Sequence, residues 1–404
     1  MKPFARVLVF VFAIVVVVGI LLAWQKQQRA DALERLKTDF AADISEFEDE
    51  FFVGCSHERL TDLVELAELL NRVGKPTTLD LTGAPNLVSL QGAGSLLTID
   101  TLIAIDCPKL VSAEGVGFHP KLADLVFTES TALEDVSAIE GLPELKTLDL
   151  SGCSQVAALD ISTLPSIENL YLSRCRKLTA LDLSSAMGLQ QLYLDGCAGL
   201  KEIVGLDGLS QLTDLDVSNA TGLIHLSGVE KLSSLVVLDI RNVDLTDFSG
   251  IGALPTLRVL RMGGQDAIET LEPFSEMESL NEIHLEACPN LYSLKGIPPS
   301  INQYAGFTHC PKLESLAGIE VAGGIEQLDL SGCENLHDVT AVAELRSLLQ
   351  LSFVKCRQVT EIDFVENLPK LVIVALGGSG VVPASVEELK PANKELFFDF
   401  ELAD

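Results

Sequence analysis

The phrase LDLSGCSQV (148–156) returns along the chain as LYLSRCRKL (170–178), LYLDGCAGL (192–200), IHLEACPNL (283–291) and LDLSGCENL (328–336). Aligned on the residue held by Cys153, the units are marked by Ala84, Cys107, Ser130, Cys153, Cys175, Cys197, Ala220, Val243, Gln265, Cys288, Cys310, Cys333, Cys356 and Ser379. The step between neighbouring markers never varies by more than one position, as Cys153, Cys175 and Cys197 followed by Ala220 show. A period of about 22–23 residues falls in the range of the leucine-patterned solenoids. A unit of that length cannot bury its own apolar face. Successive units must therefore stack on one another, and fourteen of them make a solenoid rather than a set of independent domains. Within a unit, Leu148 and Leu150 read as the inward positions of a short strand and Asp149 as the outward one.

The repeated core pattern is Leu145-x-x-Leu148-x-Leu150-x-x-Cys153-x-x-Val156-x-x-Leu159, with turns such as GLDGL (205–209) and GVEKL (228–232). Over 76–382 this resembles the leucine-rich repeat family, and most of all its short internalin-type bacterial repeats. The resemblance implies a leucine-rich repeat solenoid, an α/β-type arc with a parallel β-sheet on its concave face. Its fourteen or so coils would each hold about 22–23 residues. The chain departs from the family in one respect: the usual asparagine is mostly cysteine, and one extra residue precedes the next leucine.

The segments outside the repeats give four divisions. Residues 1–24 read as a tail and membrane anchor, because Val7 to Trp24 is an 18-residue run without a polar side chain, near the length that crosses a hydrocarbon core. The run ends in LLAWQKQQRA, which offers no good cleavage site, so a retained single-pass transmembrane helix is expected and a removed signal peptide is the alternative. A short basic tail before a single anchor places the repeats outside the cytoplasmic (inner) membrane. Residues 25–75 read as a juxtamembrane amphipathic helix and a helical N-terminal cap. Leu33, Leu36, Phe40, Ile44, Phe47 and Phe51 recur at the helical period, and Leu60, Leu63, Val64 and Ala67 mark a second helix that stops near Gly74 and Pro76. The stripe at 33–51 either packs on the next domain or pairs with a second chain as a homodimer. Residues 383–404 read as a C-terminal cap, with a capping box from Ser385 to Glu388 and Phe397, Phe398 and Phe400 covering the last coil.

The cysteine spacing decides among disulfides, a metal cluster and a structural role. In the family an asparagine bridges adjacent coils at this point. A cysteine suits the same tight site, being small, mostly apolar and a weak S–H donor. Cys107, Cys153, Cys175, Cys197, Cys288, Cys310, Cys333 and Cys356 are therefore read as a structural ladder. Neighbouring side chains that run parallel into a core do not meet the dihedral of a disulfide. Ligands spaced one repeat apart on a straight ladder do not close a zinc tetrahedron. No metal, cofactor or catalytic residue is expected, and the chain is read as no enzyme: an open strand face does not desolvate paired carboxylates such as Asp195 and Asp216.

The net charge of −30 excludes nucleic acid as a partner and favours one that is basic at its contact. The outward strand positions, beginning Asp80, Ala104, Val126, Asp149, are richest in the middle of the array. There Tyr171, Tyr193, Asp195, Asp214, Asp216, Asp239, Arg241, Arg261, Glu282, His284 and Glu286 place aromatic and charged side chains together. Two readings stand: a binding patch for a protein or an envelope polymer, and a solvated face whose charges keep the chain soluble. The function expected is a membrane-anchored recognition module; the alternative is a scaffold that dimerises through 33–51.

Overall fold

The computed structural model describes residues 2–47, 50–74, 76–387, 389 and 395–401, with side chains given from Val18 onward except those of Phe47 and Glu50. The chain forms two compact units, Met1–Val156 with Thr163–Ser166, and Ala157–Ser162 with Ile167–Asp404.

The first unit opens with one long helix, α1 (Lys2–Asp39). Among the described residues no helix is long and apolar enough to cross a membrane. The expected anchor at 7–24 is corrected on this point. The single-pass placement in the cytoplasmic membrane and the membrane as a partner fall with it. Beyond Trp24 the helix passes directly into Lys26, Arg29, Asp31, Glu34, Arg35 and Lys37, charges that a hydrocarbon core does not accept. Residues 7–17, on which most of the expectation rests, lie outside the described side chains.

A second correction follows at 33–51. The helix stops at Asp39, Ala41 takes a left-handed φ of 49°, and the chain continues as an antiparallel hairpin of β1 (Asp43–Phe47) and β2 (Glu50–Gly54). Leu36 on the helix and Phe40 just after its end are buried, and Phe51 and Val53 are buried on alternate strand positions. The mean spacing of 3.6 joined the end of a helical stripe to a period-two strand. With its anchors buried in its own unit, this segment presents no continuous helical face for a homodimer. β2 pairs in parallel with β3 (Thr78–Asp80), covering the edge strand of the repeats. Helix α2 (Val64–Val73) buries Leu66, Ala67, Leu69, Leu70 and Val73, whereas Val64, expected on the buried stripe, is exposed. Arg35 of α1 and Glu65 of α2 join the two helices at 2.5 Å.

The sheet of the first unit continues in parallel through β4 (Thr101–Ile103), β5 (Asp124–Val126) and β6 (Thr147–Asp149). Each strand is three residues long with only the central leucine buried, because the chain spends only one extended turn per coil on the sheet. The outward position of β4 is Ile103, in register with Asp80 and Val126; Ala104, read as outward from the sequence, is fully buried.

In the second unit the parallel ladder runs through β7 (Asn169–Tyr171), β9 (Gln191–Tyr193), β11 (Asp214–Asp216), β12 (Val237–Arg241), β13 (Val259–Gly263), β14 (Glu282–Glu286), β15 (Tyr304–Thr308), β16 (Gln327–Asp329), β17 (Gln350–Ser352) and β18 (Ile373–Ala375). Two further strands, β8 (Ala180–Asp182) and β10 (Glu202–Val204), form a separate two-stranded sheet. The ladder ends on β19 (Phe397–Asp399), which pairs in parallel with β18. The C-terminal segment thus adds a strand. Its one helical turn, α4 (Pro383–Val386), holds Ser385 inside it, so the expected capping box does not form there, and Glu388 lies outside the described residues.

The turn after each strand explains the other constant of the repeat. The residue before each ladder position has a positive φ, as at Gly152 (79°), Gly196 (70°) and Gly332 (79°), and also at Arg174 (63°) and Asn219 (58°). A left-handed residue there reverses the chain into the core, and glycine is the residue that takes it without steric cost. The backbone then closes a tight turn, with Cys153 N–H donating to Leu150 O at 2.9 Å.

Every cysteine is buried and none is in a disulfide. The thiols of Cys107, Cys153, Cys197, Cys333 and Cys356 donate to carbonyl oxygens one coil back, whereas those of Cys288 and Cys310 reach Glu286 O and Thr308 O in their own coil. Cys153 Sγ reaches Phe127 O at 3.2 Å, Cys197 Sγ reaches Leu172 O at 3.0 Å, and Cys356 Sγ reaches Leu330 O at 3.0 Å. Ser130 Oγ and Gln265 Nε2 make the same bond to Ala104 O and Ile240 O, at 2.7 and 2.9 Å. Burial pushes the thiols of Cys153, Cys197 and Cys356 up to about 12, so they stay protonated donors.

Candidate recognition face

The richest surface lies on the exposed side of the second unit's ladder. Strand alternation buries Leu170, Leu192, Leu215, Leu238, Leu260 and Ile283, and so turns their neighbours outward. In register across adjacent strands stand Tyr171, Tyr193, Asp216, Asp239, Arg261 and His284, one per coil. Asp214 and Glu282 lie on a parallel row two residues earlier, and Arg241 and Glu286 on a row two residues later. Asp195 follows β9 at its end. The structure thus brings the sequence-predicted residues onto one face, in three rows rather than one cluster.

Two aromatic pairs bracket the charged middle. Tyr171 and Tyr193 stack with centroids 5.3 Å apart and planes at 23°, and Tyr171 Oη donates to Gln191 Oε1 at 2.6 Å. His284 stacks on Tyr304 at 4.3 Å and 21°. Tyr304 is a residue that sequence reasoning passed over. It fits because Gly306, two positions on, has no side chain: a Cβ there would lie 2.6 Å from Tyr304 Oη. The signal was present as a glycine in the outward row beside an aromatic residue. Burial, with the nearby Asp329 and Glu286 charges, pushes the Tyr304 phenol up to about 12. Burial likewise lowers the His284 pKa, against the pull of Glu282, whose Oε2 lies 3.4 Å from Nε2.

The carboxylates differ in how they are held. Asp239 is buried, and Arg241 grips it with Nε at 3.0 and 3.1 Å and Nη2 at 2.7 Å. Asp216, its in-register neighbour, accepts from Ser218, whose backbone N–H lies at 2.8 Å. Asp195 accepts from Ser218 Oγ and Asn219 Nδ2 at 2.9 and 2.7 Å. Burial raises the Asp216 pKa, opposed by its Ser218 bonds and reinforced by the charges of Asp239 and Asp195. Among the described residues no group of three or more His, Cys, Asp or Glu side chains is placed to hold a metal ion.

These features give the chain the fold of a leucine-rich-repeat solenoid. The family profile described as BspA type leucine rich repeat region matches residues 120–220 and 274–372, in six copies. An internalin (InlF) from Listeria monocytogenes has a similar structure, with 17% identity, a TM-score of 0.55, and coverage of 81% of this chain and 87% of that one. The TLR13–ssRNA13 complex gives 17% identity, a TM-score of 0.55, and coverage of 80% and 53%. The functional domain of InlJ from Listeria monocytogenes, which includes a cysteine ladder, gives 18% identity, a TM-score of 0.49, and coverage of 74% and 72%. No curated protein sequence matches this chain.

Proposed function

We propose that this chain is a protein-recognition module that binds its partner on the exposed face of β7, β9 and β11–β15. The observation that carries the reading is the unbroken in-register row from Tyr171 to His284, flanked at both ends by stacked aromatic pairs. Tyrosine offers contact area with little rotamer entropy to lose, and rows of mixed charge fix the orientation of a partner. Seven adjacent strands at roughly 4.8 Å span about 29 Å, which suits a protein surface or an extended segment rather than a small molecule. The membrane-anchored form of this function is not retained, since no spanning helix is found among the described residues.

The test is a capture experiment with the full chain as bait, comparing wild type with the double variant Tyr171→Ala, Tyr193→Ala. Both side chains point away from the core, so the melting temperature should hold while the captured partner is lost. Phe118→Ala, at an exposed turn of the first unit, is the control and should capture as wild type does. A double variant that captures as well as wild type, beside a Phe118 variant that does not, overturns the assignment of the face.

A further inference from the structure

Asp216 and Asp239 are cross-strand neighbours in the same outward row. Each sits two residues before the position that decides its electrostatics. For Asp239 that position is Arg241, whose guanidinium caps the carboxylate in a bidentate grip. For Asp216 it is Ser218, which supplies a neutral backbone N–H. Among the described residues no lysine, arginine or histidine lies within ion-pair distance of Asp195, Asp214 or Asp216. The chain therefore pairs Asp239 directly and leaves Asp216 without a salt bridge, the Arg241 guanidinium reaching it only through space, although Asp216 too is partly withdrawn from water.

On the side of Asp216 away from Asp239 lies a ring. Tyr193 is its in-register partner on the preceding strand, held against Tyr171 by stacking on one side. A cationic group at this point meets a π surface and carboxylates together. An ammonium meets both as a point charge, with no plane to stack on the ring and no fork for the carboxylate. A guanidinium is planar, so it stacks on the ring while its fork engages a carboxylate, as Arg241 already does one strand away.

We infer that the partner presents an arginine to this face, its guanidinium lying on Tyr193 and paired with Asp216, in an extended segment that crosses the β9–β11 strands. The inference rests on the recognition face proposed above and adds the chemistry of what it receives. Charge complementarity supports it, since the chain carries −30 overall and Asp216, with Asp214 and Asp195 on the flanking rows, lies without a salt bridge beside aromatic surface.

The probe is a fluorescein-labelled, end-blocked peptide of alternating arginine and serine, with a lysine–serine peptide of equal charge beside it. Binding to the full chain is read by fluorescence anisotropy at physiological salt, where non-specific attraction is screened. The arginine peptide should bind about fivefold or more tighter than the lysine peptide, and Asp216→Asn or Tyr193→Leu should each weaken it about tenfold. Asp160→Asn and Asp182→Asn remove the same charge from exposed positions outside the row and should change affinity less than about twofold. If these control variants weaken binding as much as Asp216→Asn does, or if the lysine peptide binds equally well, the inference fails. The recognition face is judged separately: a partner whose capture depends on Tyr171 and Tyr193, beside an arginine peptide that ignores Asp216, removes the inference and leaves the face standing.

Discussion

Replacing Cys197 by alanine isolates what a ladder thiol contributes. The side chain is fully buried and its Sγ donates to Leu172 O at 3.0 Å. The substitution removes one buried heavy atom, comparable to a methylene at about 0.8 kcal/mol. It also removes a weak hydrogen bond at the low end of the usual range of about 0.5–1.5 kcal/mol. The expected loss is thus about 1–2 kcal/mol, small because the equivalent sites at Ala84 and Ala220 are already alanine in this chain. Cys197→Ser keeps a donor in the geometry that Ser130 uses toward Ala104 O at 2.7 Å, and should fall within about 1 kcal/mol of wild type. Cys197→Asp drives a charge into the core and should cost several times more than alanine. Urea unfolding of the full chain followed by circular dichroism gives the midpoints, and hydrogen exchange at the neighbouring strand amides reports whether the loss is local. An alanine variant as stable as wild type, with the serine variant less stable, would refute the donor role. A loss above about 4 kcal/mol would refute the argument from size.

Three further outcomes follow from the same structure. Thiol reagents should label the native ladder very slowly at pH 8 and completely after denaturation without reductant, because burial holds Cys153, Cys197 and Cys356 near 12; rapid native labelling, or a Cys310–Cys333 disulfide found by mass spectrometry, would contradict this. Asp216→Asn should raise the melting temperature at neutral pH. A carboxylate whose folded pKa is raised destabilises the fold above that pKa, so the gain should vanish as pH falls below the ordinary value of 3.8; a gain that persists at low pH has another cause. Gly306→Ala should displace the Tyr304 phenol from His284 and shift the ring-proton NMR signals of both, at a stability cost under about 1 kcal/mol, since a side chain rather than backbone must move; unchanged spectra would show that the glycine does not set this pair.

The sequence by itself determined the repeat. A leucine pair that returns at so constant a period admits only stacked coils, and the strand alternation inside that pair is a matter of covalent geometry. The outward row from Tyr171 to His284 could therefore be written down before any coordinates, because register follows from period alone. Three things needed the tertiary structure. The pairing of β2 with β3 decides that 43–54 is a hairpin, since an end strand with unpaired backbone groups outweighs a helical stripe whose last members could lie on either element. Charges spread over one face do not reveal their partners: that Arg241 grips Asp239 while Asp216 is held by Ser218 without a salt bridge depends on side-chain directions that spacing does not encode. Tyr304 reached the face only through the space that Gly306 leaves on the same strand. Contacts of that kind arise between side chains already brought side by side, and a periodic pattern carries the placement of positions but not the way their side chains fill it.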